Sequence, residues 1–178
     1  MIQRLAAMAV LAALMVPAAA FAGDATCVRR NLPAAEIARL DAAYGESLRT
    51  ALDSEEVDAA LLGAAVRACT RDGQVNNDAI FAYRAYELQL QSERWMLKQH
   101  GVTPERREAA WKQLRTADGD YVAKLGVDGE SDAAAREIQP MAEQFRSLVG
   151  LPDTEEGYGW AFAYVAGRFM RQVHEDRF

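Results

Sequence analysis

Two cysteines, Cys27 and Cys69, are the most reactive side chains in this 178-residue sequence. A redox site would need the C-x-x-C spacing, whereas these two residues are 42 positions apart. In an oxidising compartment an isolated pair of cysteines usually forms a disulfide. We therefore predict a structural Cys27–Cys69 bond, which would stabilise the fold by about 4 kcal/mol in the chain-entropy model.

The histidines and acidic clusters give little support for a metal site. His100 and His174 lie at predicted helix ends, where a positive imidazole interacts favourably with the helix dipole. No H-x-x-x-H or E-x-x-H spacing is present. The sequence DGESD at 128–132 lacks the glycine and glutamate that a calcium loop needs at its sixth and twelfth positions. We predict no metal and no cofactor.

Catalytic motifs are also absent from the sequence. No serine lies in a G-x-S-x-G motif, and no phosphate-binding glycine loop follows a predicted strand. The hypothesis of a catalytic pair of carboxylates stays open, because the distance between two carboxylates is set by the fold and not by the sequence spacing.

Aromatic side chains are the remaining candidates for a functional surface. Trp and Tyr at helical spacing are usually core residues whose polar atoms reach the surface. A cleft lined by them would instead bind an apolar ligand or a partner protein. The residues that would form this surface are Trp95, Trp111, Tyr158, Trp160 and Tyr164. The sequence alone is consistent with both interpretations, a packed core and a binding cleft.

The N-terminal 22 residues predict export. Arg4 precedes an apolar run from Leu5 to Val16, and small residues end the segment at Ala20-Phe21-Ala22. The run of about 12 residues is shorter than the roughly 20 that span a bilayer. We predict a secretory signal peptide over 1–22 and a mature domain over 23–178, located in the periplasm or outside the cell.

The charge of the chain limits its partners. The net charge of −6 becomes −7 when Arg4, the one charged residue of the signal segment, is removed. An acidic chain is not attracted to nucleic acid or to anionic membrane surfaces. No second apolar stretch approaches membrane length. We predict no nucleic-acid binding and no stable membrane insertion after signal cleavage.

Apolar residues at three- and four-residue spacing predict a helical fold. Asn77 and Gly101 are expected to cap the third helix, and Asp53 with Glu56 forms a capping box for the second. The fold class is all-α: one domain, a mostly antiparallel bundle of five or six helices with one disulfide. The predicted helices cover about 33–52, 54–71, 78–100, 103–125, 131–150 and 153–175, and the fourth is expected to bend or break at Asp118-Gly119-Asp120.

The first two predicted helices explain the disulfide. Joined by a tight turn, they would form an antiparallel hairpin. Cys27 precedes the first helix and Cys69 lies near the end of the second, so the hairpin would bring both cysteines to one end.

The segment YGWAFAYVAGRFM, from Tyr158 to Met170, alternates large and small residues as a strand does. A strand would have no partner in a chain of helices, and its backbone groups would be unpaired. Interpreted as a helix, the segment is apolar on nearly every side and therefore buried. Gly159, Ala163 and Gly167 lie four apart along a seam where another helix can approach closely, so Ala163→Leu should cost about 1–3 kcal/mol.

Three classes of function are consistent with these features. The first is a non-enzymatic interaction protein of the envelope, such as an inhibitor, chaperone or assembly factor. The second is a carrier or sensor of an apolar small molecule held between helices, and the third is a carboxylate-dependent enzyme acting on envelope polymer. Residues 35–52 resemble small periplasmic proteins of the lysozyme-inhibitor type, but the further cysteines of that family are missing and the resemblance assigns no family.

Overall fold

The structure is a computed structural model that describes residues 24–43, 57–114, 121–122 and 131–178. The predicted signal peptide lies outside these residues. The described residues form seven helices and no strand, which confirms the all-α class. The helices are α1 (Ala25–Arg30), α2 (Ala34–Ala43), α3 (Ala59–Cys69), α4 (Asn77–His100), α5 (Pro104–Trp111), α6 (Ser131–Val149) and α7 (Glu155–Glu175).

The long helix α4 is the axis of the fold, and local signals set both its ends. The side chain of Asn76 accepts hydrogen bonds from the backbone N–H groups of Asp78 and Ala79, so the cap is one residue before the predicted Asn77. Gly101 ends the helix with φ of 62°, the left-handed conformation that glycine adopts at low cost.

Helix α7 packs antiparallel along α4. Its last turn touches the first turn of α4 through His174 and Asp78, and its first half touches the last turns of α4 through Trp160 and Trp95. The segment Tyr158–Met170 lies wholly within α7, so its prediction as a helix is confirmed.

The close approach predicted for the small-residue seam is confirmed at Gly167. A Cβ atom on Gly167 would lie 2.7 Å from the carbonyl oxygen of Ala85 and 2.8 Å from the backbone nitrogen of Gln89. Ala163, one turn earlier in the seam, is also buried. Glycine therefore permits α4 and α7 to touch backbone to backbone.

The apolar residues separate into two cores that share α4. The C-terminal core is built on α7, α6 and the second half of α4, and its aromatic rings stack on one another. The N-terminal core lies among α1, α2, α3 and the first half of α4, and its members are smaller. Its buried residues are Val28, Leu32, Leu40, Val57, Leu62, Ala65, Val66, Cys69, Ala79 and Tyr83.

The predicted disulfide is present and joins Cys27 to Cys69 with a Cα–Cα distance of 5.9 Å. Cys27 precedes the helix that begins at Ala34, as predicted, but it lies within a separate helix, α1, that the sequence analysis did not predict. The N-cap of α1 is Asp24, whose carboxylate accepts from the N–H of Thr26. The turn of the predicted hairpin lies outside the described residues.

Two predicted helix boundaries are wrong. A helix over 54–71 is excluded because Val57 and Asp58 are not helical, and Asp58 caps α3 by accepting from the N–H groups of Ala60 and Leu61. The predicted capping box of Asp53 and Glu56 lies outside the described residues.

A continuous helix over 103–125 is excluded as well. Helix α5 ends at Trp111, where Gln113 and Leu114 make tight bonds to the carbonyls three residues before them. Helix α6 by contrast covers its predicted range and continues through Pro140. The fold is thus a set of three long helices, α4, α6 and α7, with the shorter α1, α2 and α3 around the N-terminal core and the short α5 against the C-terminal core, and it matches the predicted bundle in part.

No helix in the described residues is long and apolar enough to cross a membrane.

Candidate functional site

The five aromatic residues proposed from sequence lie in or against the C-terminal core. Trp95 stacks on Trp160 with a centroid distance of 5.2 Å, and both side chains are buried. Tyr164 is buried between the ring of Phe145 at 4.6 Å and the edge of Trp111 at 6.4 Å. These rings fill the space between their helices, so the core interpretation is favoured for Trp95, Trp160 and Tyr164.

Trp111 and Tyr158 are half-buried at the edge of this core. The guanidinium of Arg168 lies 4.5 Å above the Trp111 ring and also forms an ion pair with Glu108. The same guanidinium donates to the Tyr164 hydroxyl at 2.8 Å. Arg168 therefore covers the outer edge of the cluster and joins α5 to α7.

A buried ionic network at the N-terminal core is the second group of side chains that could take part in chemistry. The Glu87 carboxylate on α4 accepts from Arg29 Nε at 2.8 Å, and Arg29 Nη2 also donates to Asp41 at 2.6 Å. Arg94 donates to the same Asp41 oxygen at 2.5 Å. Arg29 thus ties α1 to both α2 and α4.

Burial raises the pKa of Glu87 from 4.5 to about 7, although the positive charge of Arg29 opposes that increase. A carboxyl group that titrates near neutral pH is suited to general acid–base chemistry. Its side chain is only 2% exposed and is held against Arg29, so a polymer substrate has no access to it. The geometry assigns Glu87 to holding α1 on α4.

A pair of recesses along one side of α4 opens to solvent. The first, the α3–α4 recess, has a volume of about 640 Å³ and receives Leu62, Arg67 and Val75 from α3 and the following turn. The second, the α4–α7 recess, has a volume of about 230 Å³ and receives Gly167, Met170 and His174 from α7. Arg84 lines both recesses. We call the two together the Arg84 groove.

Apolar side chains form much of the groove and are open to water. Val75 in the first recess is 47% exposed and Phe81 in the second is 46% exposed. Phe81 is held in place because its ring stacks on the imidazole of His174 at 5.2 Å. His174 is in turn positioned by Asp78, whose carboxylate lies 2.7 Å from Nδ1.

Two arginines give the groove its charge. Among the described residues, no carboxylate lies within ion-pair distance of Arg67 or Arg84, and both are exposed. Asp58 also lines the first recess, but its carboxylate is engaged by the N–H groups that begin α3. With two arginines against the single carboxylate of Asp58, the described lining of the groove carries a net positive charge, on a chain of net charge −6.

Sequence analysis did not propose the residues of this groove. The available signal was the second apolar stripe of α4, where Phe81, Leu88 and Trp95 recur every seven residues. Trp95 is covered by the C-terminal core, whereas Phe81 extends past the neighbouring helices. Only the packing reveals which end of that stripe is uncovered.

No metal-binding group of three or more His, Cys, Asp or Glu side chains is found in the part of the chain that the structure describes. Comparison of the chain with models of protein families, with curated proteins and with solved structures finds no match.

Proposed function

We propose that this chain is an exported, non-enzymatic protein that binds another protein of the cell envelope through the Arg84 groove. Export rests on the signal-peptide pattern over 1–22, which leaves the domain over 23–178 in the periplasm or outside the cell. The observation that carries the binding proposal is the meeting of two apolar recesses at Arg84, with neither Arg84 nor Arg67 engaged by a described carboxylate.

Exposed apolar side chains beside unpaired charge are typical of protein-binding surfaces. Aromatic and arginine residues supply much of the energy at such surfaces. Phe81 and Arg84 combine both types within one turn of α4. Complementary charge on a partner would orient it and speed its association. An inhibitor, a chaperone and an assembly factor all need such a surface.

The small size of the α4–α7 recess and the exposed lining of the α3–α4 recess favour a protein over a small molecule. Pockets for small molecules usually measure about 300–1,000 Å³ and bury most of the ligand. The α4–α7 recess, at about 230 Å³, is smaller than that range and suits a single inserted side chain. The α3–α4 recess is larger, but it is lined by the exposed residues Ala59, Ala60 and Val75, so a bound molecule would stay in contact with water.

Site-specific photo-crosslinking tests the binding surface. A photoreactive residue replaces Phe81 in the groove, and a matched variant carries it at Leu97, which is 50% exposed on the same helix. Both proteins are expressed with the signal peptide and irradiated in cells. We expect an adduct from position 81 that is absent from position 97, with the partner identified by mass spectrometry.

Direct binding to the purified partner completes the test. Arg84→Glu should weaken the affinity at least about tenfold, which corresponds to about 1.4 kcal/mol. Lys98→Glu makes the same charge change at an exposed site on the last turn of α4 and should leave affinity within about twofold. Equal crosslinking from both positions, or equal affinity for the two charge variants, would overturn the proposal.

The export proposal has its own measurement. N-terminal sequencing of the protein from a periplasmic fraction should begin at Gly23. A chain that retains residues 1–22 in the cytoplasmic fraction contradicts it.

A further inference from the structure

The layout of the Arg84 groove constrains the shape of what it binds, and this inference rests on the function proposed above. Ile80, Arg84 and Leu88 lie four residues apart along α4. Ile80 lines the first recess, Leu88 lines the second, and Arg84 lines both. With a rise of 1.5 Å per residue, the two apolar positions are about 12 Å apart along the helix axis.

A complementary segment must therefore present two apolar side chains at about that separation. A negative group between them would meet the guanidinium of Arg84, which has no carboxylate partner among the described residues. A second negative group beside the first apolar side chain would face Arg67 in the α3–α4 recess. The shortest pattern that uses both recesses and Arg84 is apolar, acidic, apolar along the partner.

An α-helix meets these requirements while its own backbone N–H and C=O groups are hydrogen-bonded to each other. Residues seven apart on a helix lie on one face and are about 10–11 Å apart, and a residue four after the first lies between them. An extended segment usually docks by adding a strand to a sheet edge. The described residues contain no strand, so an extended segment would find no backbone ladder to join.

We infer that the partner inserts an amphipathic helix with apolar residues seven apart into the two recesses and sets a carboxylate between them on Arg84. The α4–α7 recess, between Phe81 and Met170, has room for one leucine or phenylalanine side chain. Helix-in-groove binding of this kind uses two or three such anchors.

Synthetic peptides test the geometry without knowledge of the natural partner. Each peptide has about 15 residues with a covalent staple on its outer face, because an isolated helix of this length is marginal in water. The reference peptide carries Leu at two positions seven apart and Glu four residues after the first. Three variants replace Glu by Gln, replace Glu by Lys, or move the second Leu by two residues. A fourth variant omits the staple and contains prolines that enforce an extended chain.

Binding to the full mature protein is measured by fluorescence anisotropy at low ionic strength. We expect the reference peptide to bind at least about tenfold more tightly than each of the four variants. With Arg84→Glu protein the order of the Glu and Lys peptides should reverse, a rescue that general damage to the fold would not produce. Raised salt should weaken the Glu peptide more than the Gln peptide.

The outcomes separate this inference from the proposed function. Equal binding of the shifted-Leu or proline peptides would overturn the helical geometry, and equal binding of the Glu and Gln peptides would overturn the role of Arg84. If position 81 still crosslinks an identified partner, the groove remains a binding surface and only the helical partner is wrong. If position 81 crosslinks nothing, the proposed function is wrong.

Discussion

The two ends of the long helix α4 are stabilised in different ways. Along its whole length α4 packs on α7, and at its C-terminal half stacked rings from α4, α6 and α7 form a tightly packed aromatic core. Its N-terminal half lies against α1 and α3, helices of only 6 and 11 residues, in a core of smaller side chains. There a disulfide and the ion pairs of Arg29 supplement the apolar contacts.

This difference shows that long helices are stabilised by apolar packing, whereas short helices need additional bonds. A 24-residue helix paired with a 21-residue helix can bury a long apolar stripe on each. A six-residue helix such as α1 cannot, and in isolation a helix of that length is unstable. A covalent bond and charge-assisted hydrogen bonds hold α1 where apolar area is scarce.

The largest expected effect comes from removing the disulfide. Replacing Cys27 and Cys69 together by Ala should lower the free energy of unfolding by about 4 kcal/mol, because the unfolded chain regains the freedom of a loop of 42 residues. Urea denaturation measures the total. Hydrogen exchange should show the loss first in α1 and α3 and later in α7. An equal loss of protection in both halves would contradict the comparison.

The second effect is a pH dependence that belongs to the N-terminal half. The folded pKa of Glu87, raised by burial to about 7, exceeds its unfolded value near 4.5. Its contribution to stability is therefore fully present below about pH 4.5 and is lost as pH rises through about 7. The loss is on the order of 3 kcal/mol for a shift of this size.

Urea denaturation at pH 5 and pH 8 checks this effect. The wild-type protein should lose more stability over that interval than Glu87→Gln, in which Arg29 keeps Asp41 as a partner. The charged groups that face Glu87 are Arg29 from α1, Asp41 from α2 and Arg94 on α4, and all three are unchanged in the variant. The same pH slope in both proteins would show that Glu87 is not the group responsible.

The third effect tests the tight packing of the C-terminal half. Gly167→Ala places a methyl group against backbone atoms of Ala85 and Gln89, which cannot move aside as a flexible side chain can. The strain should lower stability by about 1–3 kcal/mol, measured by thermal or urea denaturation. Unchanged stability would mean that α4 and α7 separate easily.

The smallest effect is the matched glycine substitution in the N-terminal half. Gly63 lies inside α3, and a Cβ there would meet only the side chains of Arg67 at 3.5 Å and Val75 at 3.8 Å. Gly63→Ala should raise stability by about 0.5–1 kcal/mol through better helix propensity. If Gly63→Ala and Gly167→Ala destabilise the protein equally, the two halves do not differ in packing.

Local sequence patterns predicted much of the helical structure. The bounds of α4 and α6 were predicted to within one or two residues, because Asn76 before α4 and the glycines Gly101 and Gly150 after the two helices act on the adjacent backbone alone. The prediction failed at α1, which is too short to show periodicity, and at the end of α5, where the apolar pattern continues past Trp111 although the helix does not.

The candidate site was less predictable than the fold. Trp and Tyr drew attention as large binding side chains, yet Trp160 and Tyr164 are buried by residues from α4 and α6. Phe81 and Arg84 belong to no binding or catalytic motif that the sequence analysis recognised. Their exposure depends on where α7 ends and where the chain turns after α3. Both segments are far from Phe81 and Arg84 in the sequence or belong to other helices, so local patterns do not reveal how they pack.

The sequence by itself determined the helical class and the helical form of Tyr158–Met170, because periodicity acts over a few residues, and it determined the disulfide, because two cysteines allow a single pairing. Only the tertiary structure decided that Gly167 is the point of backbone contact and that Glu87 is buried beside Arg29. It also decided that Arg84 lies between two open recesses. Burial and the approach of charges depend on which helices pack together, and that packing is a property of the whole chain.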